Sequence, residues 1–422
     1  MHAALKLGLL GSDAQIAAVA AAAVQAGDAL VIACDLPAAS SSVAGIPADL
    51  PCSDSWEPLL DDRTCDAVLV GADGWSDDRA DAVRGLVQAG RTLLLSHPPT
   101  LSMLWAYELD MIRSDSRARL IPFLPDRLHS FIARLKAHVE TAVAEGHPLG
   151  GLETIMLERR MPNRSRETVL RQLARDVDLV RVLSGDPQRL ATLGGTPDTA
   201  WPTLAVGFTG SQQVPVRWSV VRGESPSLLI TLVQEHGSTS LTIPGDDSAW
   251  QWTGPATDCP PPPGAFARGA VMLGILREAC TTAAAAERPA LIPPADWADA
   301  ARTIELAETV PRSLAKGRAI DLHQEEYSEI GTFKGTMASL GCGIVLAALF
   351  ILILAALVGG IAREAGWGFG ERVAGAWPAV VLTALVLFLV LQVLPLLIGS
   401  SPAPAETAPT AASGTPPGPD KP

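Results

Sequence analysis

The sequence predicts an α/β domain on a parallel sheet, then an α+β domain with an open, mostly antiparallel sheet, then two C-terminal transmembrane helices. Three observations lead there. Short apolar runs alternate with helical periodicity up to about residue 120. Beyond Gly150 the apolar runs crowd together with turn residues between them. Near the C-terminus, residues 335–362 and 373–405 contain no charged side chain.

The elements follow in order. Leu5–Leu10 is a short apolar run, and the alanine-rich stretch after it, to Ala26, has too few large side chains for a signal sequence and predicts a helix. Ala29–Cys34, Asp66–Val70 and Arg91–Leu95 are further runs, with helical periodicity over Asp77–Ala89. Short buried strands alternating with helices imply a parallel sheet, because each crossover must pass over a face.

Leu152–Arg160 predicts a strand, and Glu167–Leu183 a helix with Leu170, Leu173, Val177 and Val180 on one side. Six β-like runs follow: Arg189–Leu193, Thr203–Phe208, Val214–Val221, Leu228–Val233, Thr239–Ile243 and Ala249–Thr253. Their close spacing predicts antiparallel pairing. Cys259–Gly264, with its four prolines, is a rigid spacer before helices over Phe266–Ala285 and Pro294–Lys316.

A polar linker, 321–336, leads to apolar spans at 337–361 and 373–398. At 1.5 Å per residue, roughly 20 residues cross a hydrocarbon core, so each span is long enough. A buried core helix keeps a polar face, and neither span has one. The expected divisions are therefore 1–125, 126–320, the linker, the two spans, and a Pro-rich, disordered tail over 400–422.

The formal charge of −13 excludes a nucleic-acid partner, which needs a Lys/Arg surplus, and broad adhesion to anionic lipid. Six scattered cysteines without CxxC pairs fit a reduced compartment. Seven histidines without HxH or HxxxH grouping give a metal site no support. With no export signal, and with Lys316, Arg318 and Lys334 before the first span, the expected location is the cell membrane, multi-pass, with the soluble part cytoplasmic.

Four places carry a resemblance. They are Leu7-Gly8-Leu9-Leu10-Gly11, Asp35 at the end of the second strand, Ala89 through Pro98, and Asp176-Val177-Asp178-Leu179-Val180 with its exit Leu183–Pro187. In order and spacing they resemble the Gfo/Idh/MocA oxidoreductases over roughly residues 5–320. The resemblance implies a Rossmann domain and an open-sheet domain, an NAD or NADP cofactor, a sugar or polyol substrate, and a homodimer. It assigns Gly11, Ser12, Asp13, Asp35 and Ser96 to cofactor binding, and His97, Arg175 and Asp178 to the catalytic positions.

The residues at these positions depart from the family pattern. A G-x-G-x-x-G turn admits a pyrophosphate because its glycines permit a tight turn and close backbone approach. Here the second and third positions are Asp13 and Ile16. Asp13 either puts a negative charge where a pyrophosphate belongs or caps the following helix. Asp35 either accepts from a ribose hydroxyl, favouring NAD, or shapes the turn before Pro37. His97 stands where the family keeps lysine; it is either a substitute acid–base residue or a polar end to the strand. Arg171 and Arg175 replace the family's aspartate and histidine, and arginine cannot act as a base. They suit an anionic ligand or form a solvent-facing side balanced by Asp176 and Asp178.

Three functions remain. The first is a binding or scaffolding module at the membrane that has lost hydride transfer. The others are an active NAD(P)-dependent oxidoreductase on a sugar or polyol, and a sensor of an anionic metabolite.

Overall fold

The computed structural model describes residues 4–36, 46–47, 49–144, 148–194, 196–210, 214–254, 265–281 and 292–322, with isolated positions between 350 and 383. The chain divides into two compact units, Met1–Gln324 and Glu325–Pro422. The first unit contains two sheets.

The first sheet comprises β1 (Lys6–Leu10), β2 (Ala29–Cys34), β3 (Cys52–Ser53), β4 (Ala67–Val70), β5 (Thr92–Leu95) and β6 (Arg119–Pro122). Their order is β3-β2-β1-β4-β5-β6, and all pairs are parallel. This is the doubly wound order that places a crevice at the ends of β1 and β4. The crossovers α1 (Ala14–Gln25), α2 (Asp77–Gln88) and α3 (Met103–Asp115) cover its faces.

Alternation along the strands sorts two cores. Leu7, Leu9, Leu69 and Leu94 pack with Ile16 and Val19 of α1. Leu10, Val68, Val70, Leu93 and Leu95 pack with Leu86 of α2 and Leu109 of α3. Both faces are buried, which is why these strands read as unbroken apolar runs.

The second sheet follows α4 (Ser130–Val143) and begins with β7 (Leu152–Met161). Helix α5 (Arg166–Ser184) leads to β8 (Pro187–Leu193), β9 (Ala205–Gly210), β10 (Pro215–Arg222), β11 (Ser227–Gln234), β12 (Gly237–Pro244) and β13 (Gln251–Thr253). The order is β13-β12-β11-β7-β10-β9-β8-β14, closed by β14 (Ile320–Asp321). Only β7 and β10 pair in parallel, so the expected largely antiparallel sheet is mixed at one junction. Burial alternates strictly along β11: Leu228, Ile230 and Leu232 join the core with α4 and α5, while Leu229, Thr231 and Val233 lie on the other face.

Two further helices of this unit return to the first sheet. Met272, Leu273 and Leu276 of α6 (Arg268–Cys280) join the α1 core, and Trp297 and Ile304 of α7 (Trp297–Lys316) join the α2–α3 core. A Cβ on Gly269 would lie 2.2 Å from the Ala18 carbonyl oxygen, so α6 and α1 meet at backbone distance. Three longer elements, α3, β6 and α4, have no counterpart among the predicted ones.

Of the apolar span 337–361 the described positions lie between Phe350 and Ile361 and are helical, of the span 373–398 only Thr383 is described, and the tail over 400–422 lies outside the described residues. Among the described residues no helix is long and apolar enough to cross a membrane. Cys34, Cys52, Cys65 and Cys280 are free thiols.

Candidate functional site

Strand β1 ends at Gly11, whose positive φ of 68° turns the chain toward α1. Ser12 is buried, and Asp13 is the N-cap. Asp13 Oδ1 accepts from the backbone N–H groups of Gln15 (2.8 Å) and Ile16 (3.0 Å). Its Oδ2 accepts from the N–H of Ala72 just beyond β4, at 2.7 Å. The free N–H groups of a helix N-terminus are the donors that a dinucleotide fold offers to pyrophosphate. Here a carboxylate of the chain itself holds them.

Asp35 ends β2 in a left-handed conformation, φ 52°. Arg79 of α2, only 3% exposed, donates from Nε to Asp35 Oδ2 at 2.6 Å and from Nη2 to the Asp35 carbonyl at 3.3 Å. Its Nη1 donates to the carbonyls of Gly71 (3.0 Å) and Asp73 (2.6 Å). A Cβ on Gly11 would lie 2.5 Å from Arg79 Cζ, so the guanidinium rests directly on the turn. Beside it remains a hollow of about 400 Å³ lined by Cys34, Asp35, Ser53, Trp56 and Arg79.

Ser96 and His97 follow β5. Both are buried, and the Ser96 Oγ has no hydrogen-bond partner among the described residues. The His97 ring points into α7, with Nε2 2.9 Å from Thr303 Oγ1. Thr303 Oγ1 also lies 2.8 Å from the Ala300 carbonyl, so the hydroxyl links the ring to the α7 backbone. Burial, reinforced by the Arg175 cation, lowers the His97 pKa to about 3. His97 is therefore a neutral structural ring, and neither hollow flanking α5 is lined by it.

The His97 backbone, by contrast, organises the cleft. Its N–H donates to Gln15 Oε1 at 2.8 Å, and its carbonyl accepts from Gln15 Nε2 at 3.3 Å and Arg175 Nε at 2.7 Å. One helical turn earlier, Arg171 donates from Nη1 to the Pro98 carbonyl at 3.1 Å and pairs with Glu167 at 3.0 Å. Two successive carbonyls thus hold two successive arginines of α5. Arg175 has no carboxylate in ion-pair contact among the described residues. Desolvation lowers its pKa, with Asp13 pulling the other way. Burial and the Asp13 charge raise the pKa of Asp73.

These groups line a cleft of about 650 Å³ with Asp13, Asp73, Trp75 and Gln172. Across α5 lies a second hollow of about 390 Å³, lined in part by Arg159, Asp176, Asp178 and Arg268. Asp176 accepts from Arg159 Nε and Trp218 Nε1, each at 2.9 Å, with Arg159 Nη2 closing a two-pronged pair. Asp178 is 1% exposed and its Oδ1 sits 3.3 Å from Arg127 Nη1, with no hydrogen bond to that oxygen among the described residues. Burial pushes its pKa up to about 7, against the Arg127 charge and helped by Asp299.

Of the expected site residues, Asp13 and Arg175 share one cleft, Asp35 borders another hollow, Asp178 faces a third, and Gly11 and Ser12 lie beneath the turn. Gln15, Arg79 and Thr303 were not foreseeable: each acts on a residue far away in sequence and carries no local motif. Asp13 and Arg79 occupy the groups a dinucleotide would need at this turn, so these residues do not fit NAD or NADP in its usual pose. No group of three or more His, Cys, Asp or Glu among the described residues is placed to hold a metal ion.

No protein-family model and no curated protein matches the sequence. Solved structures do. An oxidoreductase from Agrobacterium radiobacter, in complex with NAD+, L-tartaric acid and magnesium, aligns with a TM-score of 0.57 at 15% identity, covering 76% of this chain and 98% of that one. A myo-inositol dehydrogenase from Corynebacterium glutamicum gives 0.53 at 16% identity, covering 76% and 99%. A UDP-N-acetylglucosamine 3-dehydrogenase from Acidithiobacillus ferrooxidans gives 0.53 at 18% identity, covering 75% and 99%. At these identities the likeness is one of fold: a Rossmann-like parallel sheet joined to a mixed sheet, as in dehydrogenases of the Gfo/Idh/MocA type.

Proposed function

We propose that the protein is a membrane-tethered binding module on an oxidoreductase fold that has lost hydride transfer. The Asp13 carboxylate carries this reading, because it takes the N–H groups of Gln15, Ile16 and Ala72 that a pyrophosphate would require. A phosphate placed there would meet a like charge at short range in a partly buried site, where screening is weak. The positions that the resemblance assigns to proton transfer give this cleft no base: Arg171 and Arg175 cannot accept a proton, and the His97 ring points away, so the carboxylates in the cleft are Asp13, Asp73 and Glu167.

The tether rests on the uncharged stretches of residues 335–362 and 373–405, each long enough to span a bilayer. In this reading the first unit is cytoplasmic, and a homodimer forms across the open sheet face.

A second reading, an NAD(P)-dependent oxidoreductase on a sugar or polyol, draws on two observations. Asp35 keeps its place, half exposed, beside a hollow of about 400 Å³. NAD is present in the Agrobacterium structure and in that of GenD2 from gentamicin A biosynthesis. Calorimetric titration of the full chain in detergent with NAD, NADH, NADP and NADPH separates the two. The Asp13-occupied turn predicts dissociation constants no tighter than millimolar. Micromolar binding of any of them overturns the occupied-turn reading and favours the oxidoreductase, which reduction of the bound cofactor with a sugar or polyol then decides.

A further inference from the structure

An arginine in a partly buried cleft without a carboxylate is an unusual expense of folding energy. Its charge loses hydration and gains no ion pair. Arg175 is in that state: its Nε is fixed on the His97 carbonyl, and its side chain borders this cleft as well as the smaller hollow across α5. Arg171 stands one turn away, fixed on the Pro98 carbonyl. Its pair with Glu167 involves a carboxylate that is 71% exposed, so it is weakly held and readily exchanged. Both guanidiniums are thus oriented before any ligand arrives, which reduces the ordering cost of binding.

The remaining lining narrows the ligand. Asp13, Asp73 and Glu167 border the same cleft, so its carboxylates outnumber its two guanidiniums. A doubly charged phosphate is disfavoured there, whereas one planar carboxylate matches a guanidinium fork. Asp73 offers polar atoms for hydroxyl groups. Trp75, packed against Trp105 in a T-shaped contact at 5.1 Å, adds an aromatic side chain to the cleft lining. A volume of about 650 Å³ suits a small molecule.

We infer that this cleft binds the carboxylate of a small hydroxylated acid of the sugar-acid class, with Arg175 as the principal contact and Arg171 as the second. The inference deepens the proposed function and rests on its premise that no dinucleotide fills the turn.

The test is calorimetric titration of the full chain in detergent with D-gluconate. D-glucitol is the uncharged match, inorganic phosphate the alternative anion, and NAD the cofactor. Gluconate is expected to bind, and glucitol not to bind at the same concentration. Arg175→Gln is expected to weaken gluconate about tenfold or more, through loss of a charge-assisted contact. Arg175→Lys, which keeps the charge but not the fork, falls between the two. Arg171→Gln changes a more exposed side chain that the fold tolerates, and weakens gluconate less.

The inference is overturned if gluconate fails to bind, or if Arg175→Gln and Arg171→Gln both leave its affinity unchanged. It is also overturned if phosphate binds more tightly than gluconate through the same arginines. The NAD arm reads separately: micromolar NAD binding overturns the proposed loss of the cofactor, and the gluconate arms still decide the carboxylate site.

Discussion

Arg79 and Asp35 meet at 2.6 Å across the first βα turn, the guanidinium almost fully buried and the carboxylate half exposed. The acidic group that the fold normally offers to a ribose is here the anchor of a cation that also ties down the Gly71 and Asp73 carbonyls. Replacing Arg79 with leucine removes the donor to both carbonyls and leaves Asp35 unpaired. The expected loss is about 2 kcal/mol, moderated by the exposure of Asp35. Thermal unfolding of the full chain in detergent measures it, and an unchanged midpoint would show that Arg79 ties nothing together.

Asp13→Gly removes the charge from the α1 N-terminus and frees three backbone N–H groups. The cap loss is expected to cost about 1 kcal/mol. In exchange, titration with pyrophosphate or NAD should detect binding absent from the wild type. Restoring the third fingerprint glycine as well is self-defeating. Ile16 is 0% exposed and packs with Leu7, Val19 and Leu69, so Ile16→Gly is expected to cost roughly 3–5 kcal/mol. If the single Asp13→Gly variant binds neither anion, Arg79 rather than Asp13 is the barrier.

The parallel strands were legible in the sequence because burial on both faces writes them as unbroken apolar runs, from Leu7 to Leu95. The second sheet was legible from closely spaced apolar runs with turn residues between them; β11, apolar from Leu228 to Val233 except at Thr231, alternates only in burial. Helix α3 was not, because Leu104 and Met111 lie exposed on it and blur its periodicity. At the site, Asp13 as a cap follows from local spacing. Arg79 on Asp35 and Thr303 on His97 join elements separated by 44 and 206 residues, and no local pattern encodes such a pair.

Asp176 neutralises Arg159 in the interior and also accepts from Trp218. Asp176→Asn leaves Arg159, which is 6% exposed, as an uncompensated buried charge. The expected loss is about 3–5 kcal/mol, larger than for Arg79→Leu because both partners are buried. Denaturant unfolding compares the two variants directly. Equal or reversed losses would mean that Arg159 finds another partner.

Two buried groups give stability opposite dependences on pH. The Asp178 carboxyl titrates near 7 in the folded chain against an ordinary 3.8, because burial outweighs the pull of Arg127. Between those values the folded state keeps a proton that the unfolded chain releases. Its contribution is therefore complete below about pH 4 and is lost as pH rises to about 7. His97 titrates near 3 against an ordinary 6.5, because burial and Arg175 disfavour its cation. Its contribution is present above pH 6.5 and lost as pH falls toward 3. Each slope approaches about 1.4 kcal/mol per pH unit at most, and in the wild type they partly cancel, so single variants must expose them. Relative to wild type, Asp178→Asn should gain stability as pH rises from 4 to 7 and then level off, since Arg127 retains Asp299 at 2.7 Å. His97→Gln, which preserves a polar group toward Thr303, should gain as pH falls below 6.5. Urea unfolding at closely spaced pH values gives both difference curves. A flat Asp178→Asn curve would show that Asp178 is ionised in the folded protein at neutral pH, held by Arg127 in spite of its burial.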